Sequence, residues 1–127
     1  GDQLAVFIGS YPERIRLQGG HVRLSGSQAT KLGIVLDELV ANAAMYGALS
    51  STQGKLAVQW HVVVNGSRRL HIKWTERGMS GLAVPDKVGF GTRLIASAVE
   101  NCVRIFRPTG MVCTFELNLE SDHGNLR

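Results

Sequence analysis

The chain of 127 residues carries 14 Lys and Arg against 10 Asp and Glu, a formal net charge of +4, and 44% of it is hydrophobic. That is enough for one domain with a real core. With no apolar run near the ~20 residues of a membrane span and no basic-then-apolar leader, it predicts a soluble, cytoplasmic domain that does not insert into a membrane. The basic residues are scattered and lack interleaved aromatics, which argues against nucleic acid, and Cys102 and Cys113 are too few for a metal framework and read as free thiols on neighbouring strands.

Arg14–Gln18 and His21–Leu24 are short alternating runs joined by Gly19-Gly20, a hairpin signal. Ser25 or Ser27 can cap the helix that follows, which runs to about Met45 and is stopped by Gly47. Taking Leu32 as zero at 100° per residue, Leu36, Leu39, Ala43 and Tyr46 fall within about 40° of it, a core stripe. Residues 48–54 form a polar turn. Lys55–Val64 alternates, with Leu56, Val58, Trp60, Val62 and Val64 on one face. Asn65-Gly66 is a strong turn signal, and Arg69–Thr75 returns with Leu70, Ile72 and Trp74 facing in. A glycine-rich stretch, Gly78–Gly91, precedes a helix at about Thr92–Asn101. Val103–Phe106 and Met111–Leu119 make a last hairpin around Pro108-Thr109-Gly110, with Met111, Cys113, Phe115, Leu117 and Leu119 on its inner face. His61 and His71 alternate outward as surface residues. Residues 120–127 are a polar tail, and the whole of 1–127 reads as a single domain. Hairpins plus two or three helices predict an α/β (α+β) two-layer sandwich: a mixed, mostly antiparallel sheet with helices on one face.

Three segments carry chemistry. Within Leu36–Ser50, Glu38 and Asn42 lie one turn apart, together with Met45, along one border of the core stripe. This is either a solvated helix edge or a place that offers oxygen ligands to something bound on the flank. Strand parity puts Glu76 of Trp74-Thr75-Glu76-Arg77-Gly78 on the helix-covered face, where a carboxylate is expensive to bury without a partner. That partner is either a neighbouring cation, Arg77 or Lys73, or a bound donor. Gly89-Phe90-Gly91-Thr92 is a glycine turn opening a helix, where converging amides and the helix field suit an anion.

In this order and at these spacings the segments resemble the three nucleotide boxes of the GHKL ATPase superfamily. More closely, they resemble the catalytic ATP-binding domain of HWE-type sensor histidine kinases. The Asn-Ala-x-x-Tyr-Gly-Ala-Leu-Ser of Asn42–Ser50 and the Trp-x-Glu of Trp74–Glu76 mark that group, and the resemblance covers about residues 12–119. It implies the Bergerat fold, ATP and Mg²⁺ as cofactors, and transfer of the γ-phosphate to a histidine on a separate helical-hairpin domain. A response regulator receiver domain would follow as partner. Asn42 corresponds to the magnesium-binding amide, and Glu38 to the N-box acid, acting through a water on the metal or as a base. Glu76 corresponds to the acid that receives the adenine amine, with Gly78 letting the backbone approach the base. Gly89, Gly91 and Thr92 correspond to the phosphate turn. Tyr46, Phe90 and Leu94 come into the ATP-binding set with their boxes, although Phe90 and Leu94 also suit a core. Met79–Val88 is a short lid in which Pro85 adds stiffness and Lys87 can reach phosphate.

The chain departs from the group at Asp37, where His is usual, at Met45, where a phosphate-contacting Lys is usual, and at Gly78-Met79-Ser80 in place of Gly-Gly-Pro. It holds no helix pair with a phosphoacceptor His, so that dimerisation domain is expected outside this chain. A degenerate pseudokinase or phosphotransfer scaffold that docks a response regulator is one rival reading. An anti-sigma-factor serine kinase on the same fold is another, against which Trp74-x-Glu76 argues. An ATP-hydrolysing clamp is a weaker third, since no transducer domain follows.

Overall fold

The computed structural model describes residues 14–78 and 99–120. Along the chain these form β1 (Ile15–Gln18), α1 (Gly26–Tyr46), a 3-10 turn (Ala48–Ser50), β2 (Lys55–Asn65), β3 (Ser67–Arg77), β4 (Glu100–Arg107) and β5 (Gly110–Asn118). The strands make one mixed sheet in the order β1-β2-β3-β5-β4. β1 runs parallel to β2, and the other pairs are antiparallel.

α1 starts where a side chain can satisfy its free amides. The Ser25 hydroxyl accepts from the Gln28 N–H at 3.1 Å while the Gln28 side chain accepts from the Ser25 N–H at 2.8 Å, a reciprocal capping box. Its buried stripe of Leu32, Val35, Leu36, Leu39 and Ala43 packs with the inner face of the sheet, including Leu56, Val58, Leu70, Ile72, Trp74, Cys113 and Phe115. Each large side chain so buried contributes roughly 1.5–3 kcal/mol. Leu70, Ile72 and Trp74 face in as their alternation requires, and so do Met111, Cys113, Phe115, Leu117 and Leu119.

Five expectations need correcting. His21–Leu24 is not a strand, and Arg14–Gln18 does not form a hairpin with it; Ile15 instead pairs in parallel with Leu56. The reason is tertiary. The Trp60 indole donates to the Gly20 carbonyl at 2.7 Å, and a Cβ on Gly19 would sit 2.2 Å from the Trp60 ring. The two glycines let the chain pass across Trp60 on its way to α1, and the helix then returns the chain to run parallel to β1. Tyr46 is not in the core stripe: as the last residue of α1 it is 64% exposed. Val64, at the hairpin end of β2, is 72% exposed rather than inward. The stretch after α1 is not simply polar, since Ala48 and Leu49 are buried. Finally, Glu100 and Asn101 belong to β4, not to a preceding helix, and Asn101 has φ of +52°, which no right-handed helix contains.

Candidate functional site

β3 and the end of α1 meet at Glu76. Its side chain is only 4% exposed, and both carboxylate oxygens accept hydrogen bonds from the protein. Oε1 takes the Ala48 backbone N–H at 2.9 Å, and Oε2 takes the Trp74 indole N–H at 2.8 Å. Trp74 and Glu76 are two apart on one strand, so they share a face, and the buried indole needs an acceptor. The Trp-x-Glu spacing is thus a clasp within β3. The partners are neither Arg77 nor Lys73.

Gly47 makes the second half of the clasp fit. A Cβ there would lie 2.0 Å from Glu76 Oε1 and 3.1 Å from the Ala43 Cα. Gly47 also donates its N–H to the Ala43 carbonyl at 3.1 Å, closing α1. The glycine of Tyr46-Gly47-Ala48 therefore serves two ends at once: it stops the helix and leaves the space that the carboxylate fills. Gly78, two residues past Glu76, has φ of +79°, and a Cβ there would sit 2.5 Å from the Gln53 carbonyl. Its requirement for glycine is met by the protein's own backbone.

Arg14, which the sequence alone does not single out, braces the same loop. Its guanidinium donates to the Gly54 carbonyl at 3.2 Å, to the Ala48 carbonyl at 2.7 Å and to the Ser51 carbonyl. Ala48 thus accepts from a cation at its carbonyl and donates to a carboxylate from its N–H. Such charge-assisted bonds are stronger than neutral ones. Arg14→Met is expected to lower the unfolding free energy by about 2 kcal/mol, measured by urea denaturation. A change below about 0.5 kcal/mol would mean that water replaces the guanidinium at no cost.

Glu38 and Asn42 lie one turn apart on α1 and are both half-buried. Among the described residues neither has a hydrogen-bond partner. They belong to the helix that runs into Gly47 and Ala48. The segment Asn42–Ser50 and the Trp74–Glu76 strand end are joined directly by the Glu76–Ala48 bond. Met45 and Tyr46, each 64% exposed, border them. Lys87, Gly89, Phe90, Gly91, Thr92 and Leu94, with the lid of which Lys87 is part, lie outside the described residues.

The sheet's other face offers a different kind of surface. His61 and His71 are directly opposed on β2 and β3, with ring centroids 5.3 Å apart. His71 Nε2 is 3.8 Å from Glu116, and Arg69 reaches both Glu116 and Glu100. These histidines are surface residues, as their alternation predicts. The depression of about 410 Å³ among Gln59, His61, His71, Lys73, Thr114 and Glu116 contains none of the box residues. Among the described residues, no group of three or more His, Cys, Asp or Glu could hold a metal ion, and no helix is long and apolar enough to cross a membrane.

No protein-family model matches the chain. The blue-light-activated histidine kinase of Brucella anthropi is 35% identical over an alignment of 115 residues that covers 86% of this chain and 23% of that protein. The chain therefore spans less than a quarter of the length of that relative. The solved blue-light-activated histidine kinase of Erythrobacter litoralis superimposes with a TM-score of 0.67 over 98% of this chain and 42% of its own, at 14% identity. The mycobacterial sensor histidine kinase MprB does so with a TM-score of 0.63 over 92% of this chain and 93% of its own, at 11% identity. The two solved structures share its fold: a mixed five-stranded sheet with a helix packed on one face, as the alternation along the chain requires.

Proposed function

We propose, from the premise that this chain belongs to the catalytic domains of HWE-type histidine kinases with the GHKL-like fold, that it binds ATP with Mg²⁺ between α1 and the sheet. It would present the γ-phosphate to a histidine on a separate helical-hairpin domain, from which a receiver-domain aspartate would be phosphorylated in turn. The setting is expected to be the bacterial cytoplasm. The observation that supports this reading is the bond from Ala48 to Glu76, which ties the turn after the helix that bears Asn42 to the strand that bears the Trp-x-Glu.

The residues present fit the group. Mg²⁺ takes oxygen ligands, usually few from protein and several from phosphate and water. Asn42 offers an amide oxygen without a partner among the described residues, and Glu38 offers a carboxylate one turn away. When bound, the magnesium nucleotide supplies the phosphoryl group and neutralises its charge. Asn42 would hold and orient it, and Glu38 would orient the attacking side. Glu76 contributes differently. Two of its roughly four lone-pair directions are used within the protein, leaving the others for the adenine amine. The clasp holds that carboxylate in place before any base arrives. Phosphoryl transfer relies on positioning and charge neutralisation, so the chain needs no nucleophile of its own. The phosphate end is assigned to Lys87, Gly89, Gly91 and Thr92, with Tyr46, Phe90 and Leu94 bordering the nucleotide.

A second reading, a scaffold that keeps the fold to dock a response regulator, is favoured by one feature: the exposed Met45 stands where the group carries a phosphate-contacting Lys. Calorimetric titration with ATP, with magnesium and again with excess chelator, separates the two. Saturable binding that weakens on chelation supports the kinase reading. No saturation at millimolar nucleotide supports the scaffold.

A further inference from the structure

Cys102 and Cys113 are free, on the antiparallel neighbours β4 and β5, with their sulfur atoms 3.9 Å apart. We propose that they form a peroxide-reactive dithiol, which closes reversibly to an intrachain disulfide across the edge of the sheet.

The geometry places them for this. Arg104 is opposite Cys113 in the ladder, so Cys102 lies on the same face one diagonal step away. In a regular sheet a diagonal pair is about 7–8 Å apart at Cα, slightly long for a disulfide. Here the register shifts between Glu100 and Val103, Asn101 takes its left-handed φ within that shift, and Cys102 has no partner in the ladder. A bulge of this kind bends an edge strand and frees it locally from the pairing. The sulfur atoms are already in van der Waals contact, and closing to about 2.05 Å asks only for adjustment of this loosened segment.

The two thiols are also chemically unequal. Cys102 is half-buried and within reach of a small oxidant, whereas Cys113 is buried. The hydrogen bond from Cys113, aided by the Arg104 cation, lowers the Cys102 thiol to about 7 against the cost of burial. Cys113 is pushed up by the same bond, by burial, by the negative charge of a Cys102 thiolate and by Glu76, with Arg104 opposing. Cys102 is therefore the nucleophile and Cys113 the thiol that resolves it. The Cys102 thiolate attacks one peroxide oxygen, an S–O bond forms, the O–O bond breaks and hydroxide leaves. The Cys113 sulfur then attacks the Cys102 sulfur, the S–S bond forms, and the S–O bond breaks with loss of water that carries the Cys113 proton. Two thiols lose two electrons in all, and one peroxide becomes two waters once the hydroxide takes the first thiol's proton. Cys113 is also the ladder partner of Trp74, the residue that clasps Glu76, so the cross-link forms one strand away from the candidate site.

The test is intact-mass analysis of the reduced chain after hydrogen peroxide, followed by alkylation with iodoacetamide in denaturant. The expected product is a monomer about 2 Da lighter than the reduced chain, unalkylated, and restored to two alkylatable thiols by dithiothreitol. Cys113→Ser should instead leave Cys102 as a sulfenic acid, trapped by dimedone. Two alkylated cysteines after peroxide, sulfinic acid at Cys102 with Cys113 still alkylatable, or cross-linked dimers alone would each overturn the proposal. The wild-type measurement suffices should the serine variant fail to fold.

Discussion

Glu76→Gln is expected to lower the unfolding free energy by about 2–4 kcal/mol, and Glu76→Ala by about 4 kcal/mol, in urea denaturation of the whole chain. The argument is donor arithmetic. The carboxylate receives the Ala48 N–H and the Trp74 indole N–H, one on each oxygen. A glutamine has the same shape but only one acceptor oxygen, and whichever way its amide turns, an NH₂ faces one of those two donors. A buried donor left unsatisfied costs about 1–3 kcal/mol, and here the opposing donor adds repulsion. Alanine strands both donors and leaves a void beneath the helix end. At this chain length a loss of 3 kcal/mol lowers the melting temperature by roughly 10 °C. A carboxylate that served only a ligand would respond differently: removing its buried charge would leave the free protein as stable or more so. Unchanged stability in both variants would therefore remove the clasp from the description of this site.

Gly47 offers a check that leaves the carboxylate intact. Gly47→Ala would put a methyl group 2.0 Å from Glu76 Oε1. The carboxylate must then leave Ala48, so the penalty should resemble that of losing the bond itself. Combined with Glu76→Ala, the same methyl group meets a void, and its cost should fall by about 2 kcal/mol in a double-mutant cycle. This bears on function too. A Glu76 variant that loses nucleotide binding speaks for adenine recognition only if its thermal melt is unchanged, because the residue also secures the loop between α1 and β2.

The fold was largely legible because strand alternation is local. A two-residue period states which face each side chain takes, and it placed Leu70, Ile72, Trp74 and Glu76 together without knowledge of their neighbours. The partner of a buried group is not local. Glu76 finds one of its two donors 28 residues away, and Arg14 finds the Ala48 carbonyl 34 residues away, distances at which periodicity is silent. Gly19-Gly20 misled for the same reason: a glycine pair marks a turn in isolation, but here it answers to the ring of Trp60. Tyr46 had the right helical angle and the wrong axial position, because a stripe is buried only where strands lie beneath it. One signal for the clasp was present and unread. A buried tryptophan needs an acceptor for its N–H, and a carboxylate two residues on along a strand is on the same face.

Asn42→Ala is expected to weaken magnesium-dependent ATP binding by at least tenfold while leaving stability within about 1 kcal/mol of the parent. The affinity loss follows from removing an oxygen from the magnesium nucleotide's surroundings: a hydrogen bond or ligand contact to a charged group is worth about 1.5–3 kcal/mol, and 1.4 kcal/mol is tenfold. The small stability change follows from position. Asn42 is a half-buried residue in the last full turn of α1, without a hydrogen-bond partner among the described residues, and alanine is the better helix former there. This asymmetry makes it the sharper probe of the proposed site, since Glu76 also holds the loop between α1 and β2 and Asn42 has no such partner among the described residues. The measurement is a pair of titrations, ATP with magnesium and ATP with chelator, on parent and variant. The difference between the two conditions should be large in the parent and vanish in Asn42→Ala. A variant that keeps the full magnesium effect would place the metal elsewhere, and the border of α1 that carries Glu38 and Asn42 would then be an ordinary solvated helix edge.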